Sequence, residues 1–377
     1  MHPVPARETH PAMSTDDAPQ PHLQPLAVLT TTRQMSQLGY SRDGARLFAT
    51  GRDGLVHHWN LPADGFPAPD PAQKQDIPEQ PPLAGHNGWV TTLDISSDGS
   101  RLVTADSWGR LTCRDLASAD HTVVWDLPEA HAGWLRQCVF SPDGSHVITC
   151  GLDGHLRVWS VANGALVKDL AGTGNDLYSL ACHPDGETFV AGDLKGTIQR
   201  YRISDGMQVQ SYDAAEFFKL SYIQEVGGVR TLAFSPDGTV LAAGGCVPEN
   251  GGFVQGIPCL RLLNVATGEL IQSLRLGDNQ EGFVHQVLPH PAGYWMGVCS
   301  GQPGKGKVFL HRTSEAAPFC LNREPLANCH SLALHPSGRQ LAVLANAGTY
   351  GQQKSMAREG NYPGNTSPVH VLGLPVS

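Results

Sequence analysis

A four-residue turn recurs seven times along the chain, and this repetition limits the possible folds more than any other feature. Each copy starts with Ser or His and ends with Gly, and five of the seven have Pro in second place. Proline presets the backbone for a turn, and glycine accepts the left-handed conformation that lets the chain reverse. The copies begin at Ser41, Ser96, Ser141, His183, Ser235, His290 and His335. Their spacing of 42 to 55 residues indicates seven copies of one structural unit.

Short apolar segments with the character of β-strands flank each turn. One segment precedes the turn, as at 232–234, and a second follows it, as at 241–243. A third comes next, as at 156–159, and a fourth is visible in most units, as at 270–274. Amphipathic helical stretches do not separate the turns. Four short strands per unit are typical of a propeller blade, so the sequence predicts an all-β, seven-bladed β-propeller.

The two ends of the repeat array predict how the ring closes. The seventh unit reaches Ser377 soon after its third strand, at 369–372, and lacks a fourth strand. An unassigned strand, 26–30, precedes the first unit. Its pairing with the last unit would close the ring and remove an exposed sheet edge. We therefore expect one propeller over residues 25–377, in which an N-terminal strand completes the last blade, and a disordered, proline-rich tail over 1–24.

The third unit combines its Ser-Pro-Asp-Gly turn with His131, Thr149, Asp153 and Trp159. In these residues it resembles the WD-repeat family, in which the same four residue types form a hydrogen-bonded chain inside the blade. The resemblance implies a structural role for these four residues and a propeller fold over about residues 26–377. The second unit departs from the family pattern, because Trp108 stands in the Asp position and Arg114 in the Trp position.

Composition narrows the range of partners. The formal net charge is −9, and the 26 Lys and Arg residues are scattered, which argues against nucleic-acid binding. No apolar run is long enough to cross a bilayer. The first 20 residues lack the basic start and apolar middle of a secretory signal. We expect a monomeric, cytoplasmic protein whose partners include neither nucleic acid nor a membrane.

No motif in the sequence indicates catalysis, a cofactor or a metal. The glycine-rich segment 301–307 superficially resembles a phosphate-binding loop, but Val308 follows it in place of Ser or Thr. His183, His290 and His335 occupy one equivalent position in three blades, so they cannot converge on a single metal ion. No Ser or Cys lies in a recognisable nucleophile signature. We therefore expect a protein that is not an enzyme and has no cofactor.

Three long links predict a docking surface. In a propeller, the links between blades and those between second and third strands emerge on the same face. The long links 213–227, 246–258 and 346–368 all belong to these classes and cluster over blades five to seven. The partner-binding candidates in them are Phe217, Phe218, Tyr222, Phe253, Tyr350, Arg358 and Tyr362. The sequence thus predicts a non-catalytic scaffold that docks an unidentified protein or peptide on this face.

Other readings stay open at this point. The long links could simply pack on one another and close the mouth of the channel. A propeller enzyme or small-ligand binder with its site at the channel mouth is the alternative function, and a regulatory part of a larger assembly is a third. The insertion 62–82 contains seven prolines, and we expect it to be an exposed loop on the opposite face.

Overall fold

The computed structural model describes residues 21–67, 77–221, 224–251, 254–301, 305–322, 326–346 and 366–375. Within these ranges the chain is almost entirely antiparallel β-sheet, and the predicted seven-bladed propeller is confirmed. Most of the expected tail lies outside the described residues. Leu23, near its end, is buried, and the first strand begins at Gln24.

The strands follow one another in chain order through the ring. After β1 (Gln24–Leu29), blade 1 contains β2 (Met35–Tyr40), β3 (Arg46–Gly51) and β4 (Val56–Asn60), and blade 2 contains β5 (Val90–Ile95), β6 (Arg101–Asp106), β7 (Leu111–Asp115) and β8 (Val123–Leu127). Blade 3 contains β9 (Leu135–Phe140), β10 (His146–Gly151), β11 (His155–Ser160) and β12 (Leu166–Ala171), and blade 4 contains β13 (Leu177–Cys182), β14 (Thr188–Asp193), β15 (Thr197–Arg202) and β16 (Gln208–Asp213).

The link from blade 4 to blade 5 has structure of its own. It contains a 3-10 turn (Ala215–Phe217) and a hairpin of β17 (Phe218–Ser221) and β18 (Gln224–Gly227). Blade 5 contains β19 (Thr231–Phe234), β20 (Val240–Gly251), β21 (Val254–Asn264) and β22 (Leu270–Arg275). Blade 6 contains β23 (Phe283–Pro289), β24 (Trp295–Ser300), β25 (Gly306–His311) and β26 (Cys320–Asn322), and blade 7 contains β27 (Ser331–Leu334), β28 (Gln340–Leu344) and β29 (Val369–Gly373).

The recurring turn joins the first and second strands of each blade. In blade 3 the Ser141 hydroxyl donates to the Asp143 carboxylate and accepts the backbone N–H of His146 at 3.0 Å. Gly144 adopts φ = 70° and donates its N–H to the carbonyl of Ser141 at 2.8 Å. A side chain at Gly144 would strain this left-handed backbone, which explains why every copy of the turn ends in glycine.

The ring closes through the N-terminal strand, as predicted. β1 pairs antiparallel with β29, so the last sheet has the order β1–β29–β28–β27. The strand begins two residues earlier than the sequence pattern suggested. Leu29 is 2% exposed and belongs to an apolar cluster that also contains Met35 and Trp59 of blade 1 and Val369 of blade 7. Closure therefore buries apolar surface between the first and last blades as well as pairing a sheet edge.

Polar side chains of the innermost strands join each blade to the next. At one equivalent position per blade, a side chain exchanges a hydrogen bond with the backbone of the following blade. The seven bonds are Leu93 N to Gln37 Oε1 (3.2 Å), Cys138 N to Thr92 Oγ1 (3.4 Å), Leu180 N to Gln137 Oε1 (2.8 Å), Ser179 Oγ to Val229 O (2.8 Å), Val287 N to Thr231 Oγ1 (3.1 Å), Leu332 N to Gln286 Oε1 (2.9 Å) and Leu38 N to Ser331 Oγ (3.1 Å). The last bond returns from blade 7 to blade 1, so this inner hydrogen-bond ring is complete.

The described part of the insertion 62–82 is not simply an exposed loop. Phe66 is 4% exposed and packs in the cluster between blades 7 and 1. Its backbone N–H donates to Gln340 Oε1 at 2.9 Å, and its carbonyl accepts Gln340 Nε2 at 2.6 Å. Near the end of the insertion, Leu83 exchanges two backbone hydrogen bonds with Val56 of β4. The insertion therefore fastens blade 1 to blade 7 at the point of closure.

We predict that deletion of residues 1–20 leaves thermal stability unchanged, whereas deletion of residues 1–32 unfolds or aggregates the protein. The longer deletion removes β1 and the buried Leu23 and Leu29, each worth about 1.5–3 kcal/mol, and exposes the edge of β29. Thermal unfolding followed by circular dichroism measures the difference. Equal melting temperatures for the two truncated proteins would contradict the closure.

Candidate functional site

The first strands of the blades contact one another in a ring and form the wall of the central channel. The residue immediately before each side chain of the inner hydrogen-bond ring occupies another equivalent position, within the first strand or directly ahead of it. These seven residues are Ser36, Thr91, Arg136, Tyr178, Arg230, His285 and His330. The side chains become larger toward blades 3 to 7, where two arginines, one tyrosine and two histidines occupy this position. This side of the channel wall can therefore offer cations and rings to a ligand.

Arginine and aromatic side chains alternate across this wall. The Arg136 guanidinium carbon lies 4.7 Å from the centre of the Trp134 ring and 5.0 Å from that of Tyr178. The Arg230 carbon lies 4.3 Å from the Tyr178 ring and 4.9 Å from the Phe283 ring. Such contacts hold a guanidinium in place without neutralising its charge.

The series continues into blades 1 and 2. The rings of Trp134 and Trp89 meet edge to face with 5.7 Å between their centres, and the Arg52 guanidinium carbon lies 4.9 Å from the Trp89 ring. We call the set Arg52, Trp89, Trp134, Arg136, Tyr178, Arg230 and Phe283 the arginine–aromatic arc. It is an unbroken chain of ring and cation contacts from blade 1 to blade 6.

An open groove adjoins the arc over blades 1 to 3. Arg52, Trp89, Trp108 and Trp134 line it, and its volume is about 410 Å³. Trp108 is 66% exposed and Trp89 45% exposed. Large exposed aromatic side chains are unusual on a surface that only faces water and are favoured where a partner binds.

The arginines of the arc form no ion pair within the described part of the chain, although most other described arginines do. Burial lowers the pKa of Arg52 and of Arg230 below the ordinary arginine value. The Nε atoms of Arg136 and Arg230 are buried and have no hydrogen-bond partner. The channel wall thus holds positive charge that the described protein leaves unneutralised.

Two histidines follow Arg230 around the channel. His285 Nε2 contacts the Ser300 carbonyl at 3.0 Å, and His330 Nε2 contacts the Met35 carbonyl at 3.1 Å. Burial lowers the pKa of His285 to about 4, and the nearby His330 adds to this shift. Burial also lowers the pKa of His330. Both rings are therefore neutral near pH 7 and hydrogen-bonded to the blades.

The four family-type residues of blade 3 lie in one hydrogen-bonded chain. With its proton on Nδ1, His131 donates to Asp153 Oδ1 at 2.9 Å and accepts the Thr149 hydroxyl on Nε2 at 2.8 Å. The indole N–H of Trp159 donates to Thr149 Oγ1 at 2.9 Å. Hydrogen bonds from His131 and Arg157 help to hold the pKa of Asp153 well below its usual range. These polar groups satisfy one another inside the blade.

Sequence reasoning missed the carboxylate that replaces Asp153 in blade 2. Trp108 occupies the expected position, yet Asp106, at the end of β6, contacts His86 Nδ1 at 3.1 Å and accepts the backbone N–H of Trp108 at 2.8 Å. Asp193 takes the same place in blade 4 and accepts the N–H groups of Lys195 and Thr197. In both blades an Asp lies two residues before the expected position and is the last residue of the second strand. This Asp was the sequence signal for the replacement carboxylate.

Two of the seven predicted docking residues fall within the described part of the chain. Phe217 is fully buried in the apolar cluster between blades 4 and 5, so its side chain presents no surface to a partner. Phe218 is half-buried on β17. The other candidates lie outside the described residues, namely Tyr222, Phe253, Tyr350, Arg358 and Tyr362. Leu220, not singled out from the sequence, is 67% exposed on the same link.

The long links of blades 4 and 5 contact each other. Lys219 Nζ on β17 donates to the carbonyl of Glu249 on β20 at 2.6 Å. Glu216 in the 3-10 turn accepts a hydrogen bond from Arg261 of β21 and one from Ser273 of β22 at 3.2 Å. Part of this region therefore packs on the neighbouring link, as one of the alternatives anticipated, and part packs on blade 5 itself.

Neither a metal-binding cluster nor a membrane-spanning helix occurs among the described residues. No group of three or more His, Cys, Asp or Glu residues is placed to hold a metal ion. No helix in the described ranges is long and apolar enough to cross a membrane. The glycine-rich segment runs into β25, where Lys307 is buried and donates to the carbonyl of Leu276 and the carboxylate of Glu281. Lys307 is therefore engaged with the link between blades 5 and 6.

A closed ring of seven antiparallel sheets with a His–Thr–Asp–Trp chain inside one blade defines a WD-repeat propeller. The family model "WD domain, G-beta repeat" matches residues 79–126, 122–160, 164–201 and 220–246. Together with the seven-bladed fold, these matches show that the chain contains WD repeats arranged in a seven-bladed propeller.

Protein groucho of Drosophila melanogaster is a curated relative. It is 25% identical to this chain over 174 residues, which are 46% of this chain and 23% of groucho. The matched part thus spans about a quarter of that relative's length. The similarity supports the repeat architecture and does not assign a subfamily.

We predict that Thr149→Val lowers the free energy of unfolding by about 2–4 kcal/mol, because it leaves both His131 Nε2 and the buried indole N–H of Trp159 without a partner. Thr104→Val is the matched control in blade 2. There Thr104 contacts His86 Nε2 at 2.8 Å, and Arg114 replaces the tryptophan, so the expected loss is smaller, about 1–2 kcal/mol. Denaturant unfolding measures both values, and equal losses would contradict the four-residue chain.

We predict that stability falls as the pH is lowered from 6.5 to 4, in part through His285. The pKa of His285 is 6.5 for the ordinary side chain and about 4 in the fold, so in this window the unfolded chain binds a proton that the folded chain does not. His285→Gln should make the fall less steep. Parallel slopes for the His285 variant and the unchanged protein would contradict the assignment.

Proposed function

We propose that this protein is a non-catalytic scaffold that binds other proteins on the face where the links between blades emerge. The observation that carries the proposal is the exposure of Trp89, Trp108 and Leu220, all of which lie on links that open onto this face. Rigid scaffolds commonly bind partners through such links. The matches to WD-repeat proteins support the same function. We further propose that it works as a cytoplasmic monomer and binds neither nucleic acid nor a membrane.

The reactive side-chain types of the described residues support a non-catalytic role. Burial raises the pKa of the cysteine thiols, for example to about 12 for Cys113 and Cys246, which makes them poor nucleophiles at neutral pH. His86 and His131 are each hydrogen-bonded to an Asp that also organises a turn. These groups are occupied with the structure of the blades.

A small-ligand binder or enzyme with its site at the channel mouth is the second candidate. The observation in its favour is the presence of His285, His330 and Arg230 near one another on the channel wall. Elemental analysis of the purified protein separates the two candidates. A stoichiometric divalent ion would favour the second function over the scaffold.

We expect the protein to retain partners from a native extract in an affinity capture followed by mass spectrometry, and we expect substitutions on the blade 5 to 7 face to abolish their capture. The test variant combines Leu220→Asp with Tyr350→Ala and Arg358→Ala. Phe217 is left unchanged, because substitution of this buried residue would lower stability and so obscure an effect on binding. Leu220 replaces Phe217 because its side chain is exposed.

The control is Leu166→Asp on β12, an outer strand, where the leucine is 50% exposed. Both variants should melt at the temperature of the unchanged protein. Capture that is the same for the test variant and the control would exclude the long links of blades 5 to 7 as the docking surface. The absence of any partner at stoichiometric amounts would count against the scaffold itself.

A further inference from the structure

Three guanidinium groups without ion pairs lie along one connected surface, which is unexpected in a protein with a net charge of −9. Arg52, Arg136 and Arg230 each stack on an aromatic ring, and none contacts a carboxylate within the described ranges. A partly buried cation without an anion costs free energy, because water is removed and the aromatic rings replace only part of the lost hydration. A protein tolerates this cost where a ligand supplies the missing charge.

The surroundings of the arc do not neutralise it. Asp53 is the carboxylate that lines the adjoining groove, and it already contacts His57 Nε2 at 3.2 Å and Arg33 Nε at 3.4 Å. His285, next to Arg230 around the channel, is held neutral by burial near pH 7. The arc therefore keeps a positive charge that attracts anions.

The shape of the surface favours an extended chain over a compact ion. The arginines belong to blades 1, 3 and 5, and rings of Trp89, Trp134 and Tyr178 separate them. The groove beside Arg52 leads from this series out to the exposed Trp108. A ligand that meets all of these groups must be long, carry several anionic groups and include an apolar side chain for the tryptophans.

We propose that the arginine–aromatic arc and its groove bind an acidic peptide segment of a partner protein, with Asp or Glu side chains on Arg52, Arg136 and Arg230 and an apolar anchor against Trp108. The proposal rests on the proposed function, because it names the chemistry of one partner of the scaffold. Carboxylates make bidentate hydrogen bonds to guanidinium groups that are already held in orientation. Stacking on the rings supplies that orientation before the ligand arrives.

A single-stranded nucleic acid is the competing occupant, because stacked rings and arginines also serve that class of ligand. The structure favours the peptide. Guanidinium groups already lie over the rings of Trp134, Tyr178 and Phe283 and occupy faces on which a base would stack. The net charge of −9 also repels a polyanion of regular high charge more strongly than a short acidic segment.

Fluorescence anisotropy with the full chain tests the proposal directly. The probe is a short fluorescein-labelled peptide of glutamates with one central leucine, and the control peptide has glutamines in place of the glutamates. We expect the glutamate peptide to bind about tenfold more tightly or better, and added salt to weaken this binding. Equal binding of the two peptides, or no binding, would overturn the proposal.

Substitutions assign the binding to the arc. Arg136→Met and Arg230→Met should each weaken binding of the glutamate peptide about tenfold, since each removes one charged hydrogen-bonding group. Arg275→Met removes the same charge from the exposed end of β22 and should leave binding unchanged. An effect of the same size in all three variants would point to net charge alone and would overturn the proposed site.

Melting temperature distinguishes a binding role from a structural one. Arg230→Met should melt at or above the temperature of the unchanged protein, because it removes a buried cation that has no ion pair within the described residues. A large fall in melting temperature for both Arg136→Met and Arg230→Met would mean that the arginines hold the blades together, and the proposal would fail. Tighter binding of a labelled single-stranded oligonucleotide than of the glutamate peptide would replace the peptide with nucleic acid as the ligand.

These outcomes are separable from those of the proposed function. If partners are captured from extract but the glutamate peptide does not bind, the scaffold stands and the acidic-peptide assignment is wrong. If the glutamate peptide binds and its binding depends on Arg136 and Arg230, the channel wall is a binding site. That conclusion holds even if the substitutions on the blade 5 to 7 face do not change partner capture.

Discussion

The architecture of this protein depends on closure of the ring through its innermost strands. Each blade passes one hydrogen bond to the next, and the bond from Leu38 N to Ser331 Oγ completes the circuit. Around this point the N-terminal strand pairs with β29, and Phe66 from the blade 1 insertion is held by Gln340 of blade 7. Closure therefore rests on three elements far apart in sequence. Loss of one would leave unpaired backbone groups at an edge of blade 7 or blade 1.

The blades achieve the same internal result with different residues. Blade 3 has the full chain of His131, Thr149, Asp153 and Trp159, whereas blade 2 satisfies His86 with Thr104 and a carboxylate two residues earlier. What each blade needs is a partner for every buried polar atom, and more than one residue pattern meets that need. This explains how a chain with so few complete repeats forms seven regular blades.

The surface chemistry is divided between two parts of one face. Over blades 4 and 5, the long links pack partly on the propeller, with Phe217 in the core and Leu220 exposed. Over blades 1 to 6, the arginine–aromatic arc holds cations that the described protein does not neutralise. The ring presents both parts on one rigid support, and Phe217 also contributes to its core. Surface residues on such a support can change while the fold remains the same.

The sequence by itself determined the class of fold, the number of blades and the closing strand, because turns that end in glycine and short apolar strands are local signals that repeat. It also identified the four residues of blade 3. It could not place Phe217 in the core, show that Phe66 fastens two blades, or reveal that Arg136, Tyr178 and Arg230 are neighbours. The contacting residues lie about 40 to 270 positions apart in sequence, and Phe217 is buried where exposure was expected. Closure of the ring sets equivalent positions of successive blades side by side, and it therefore decides these contacts.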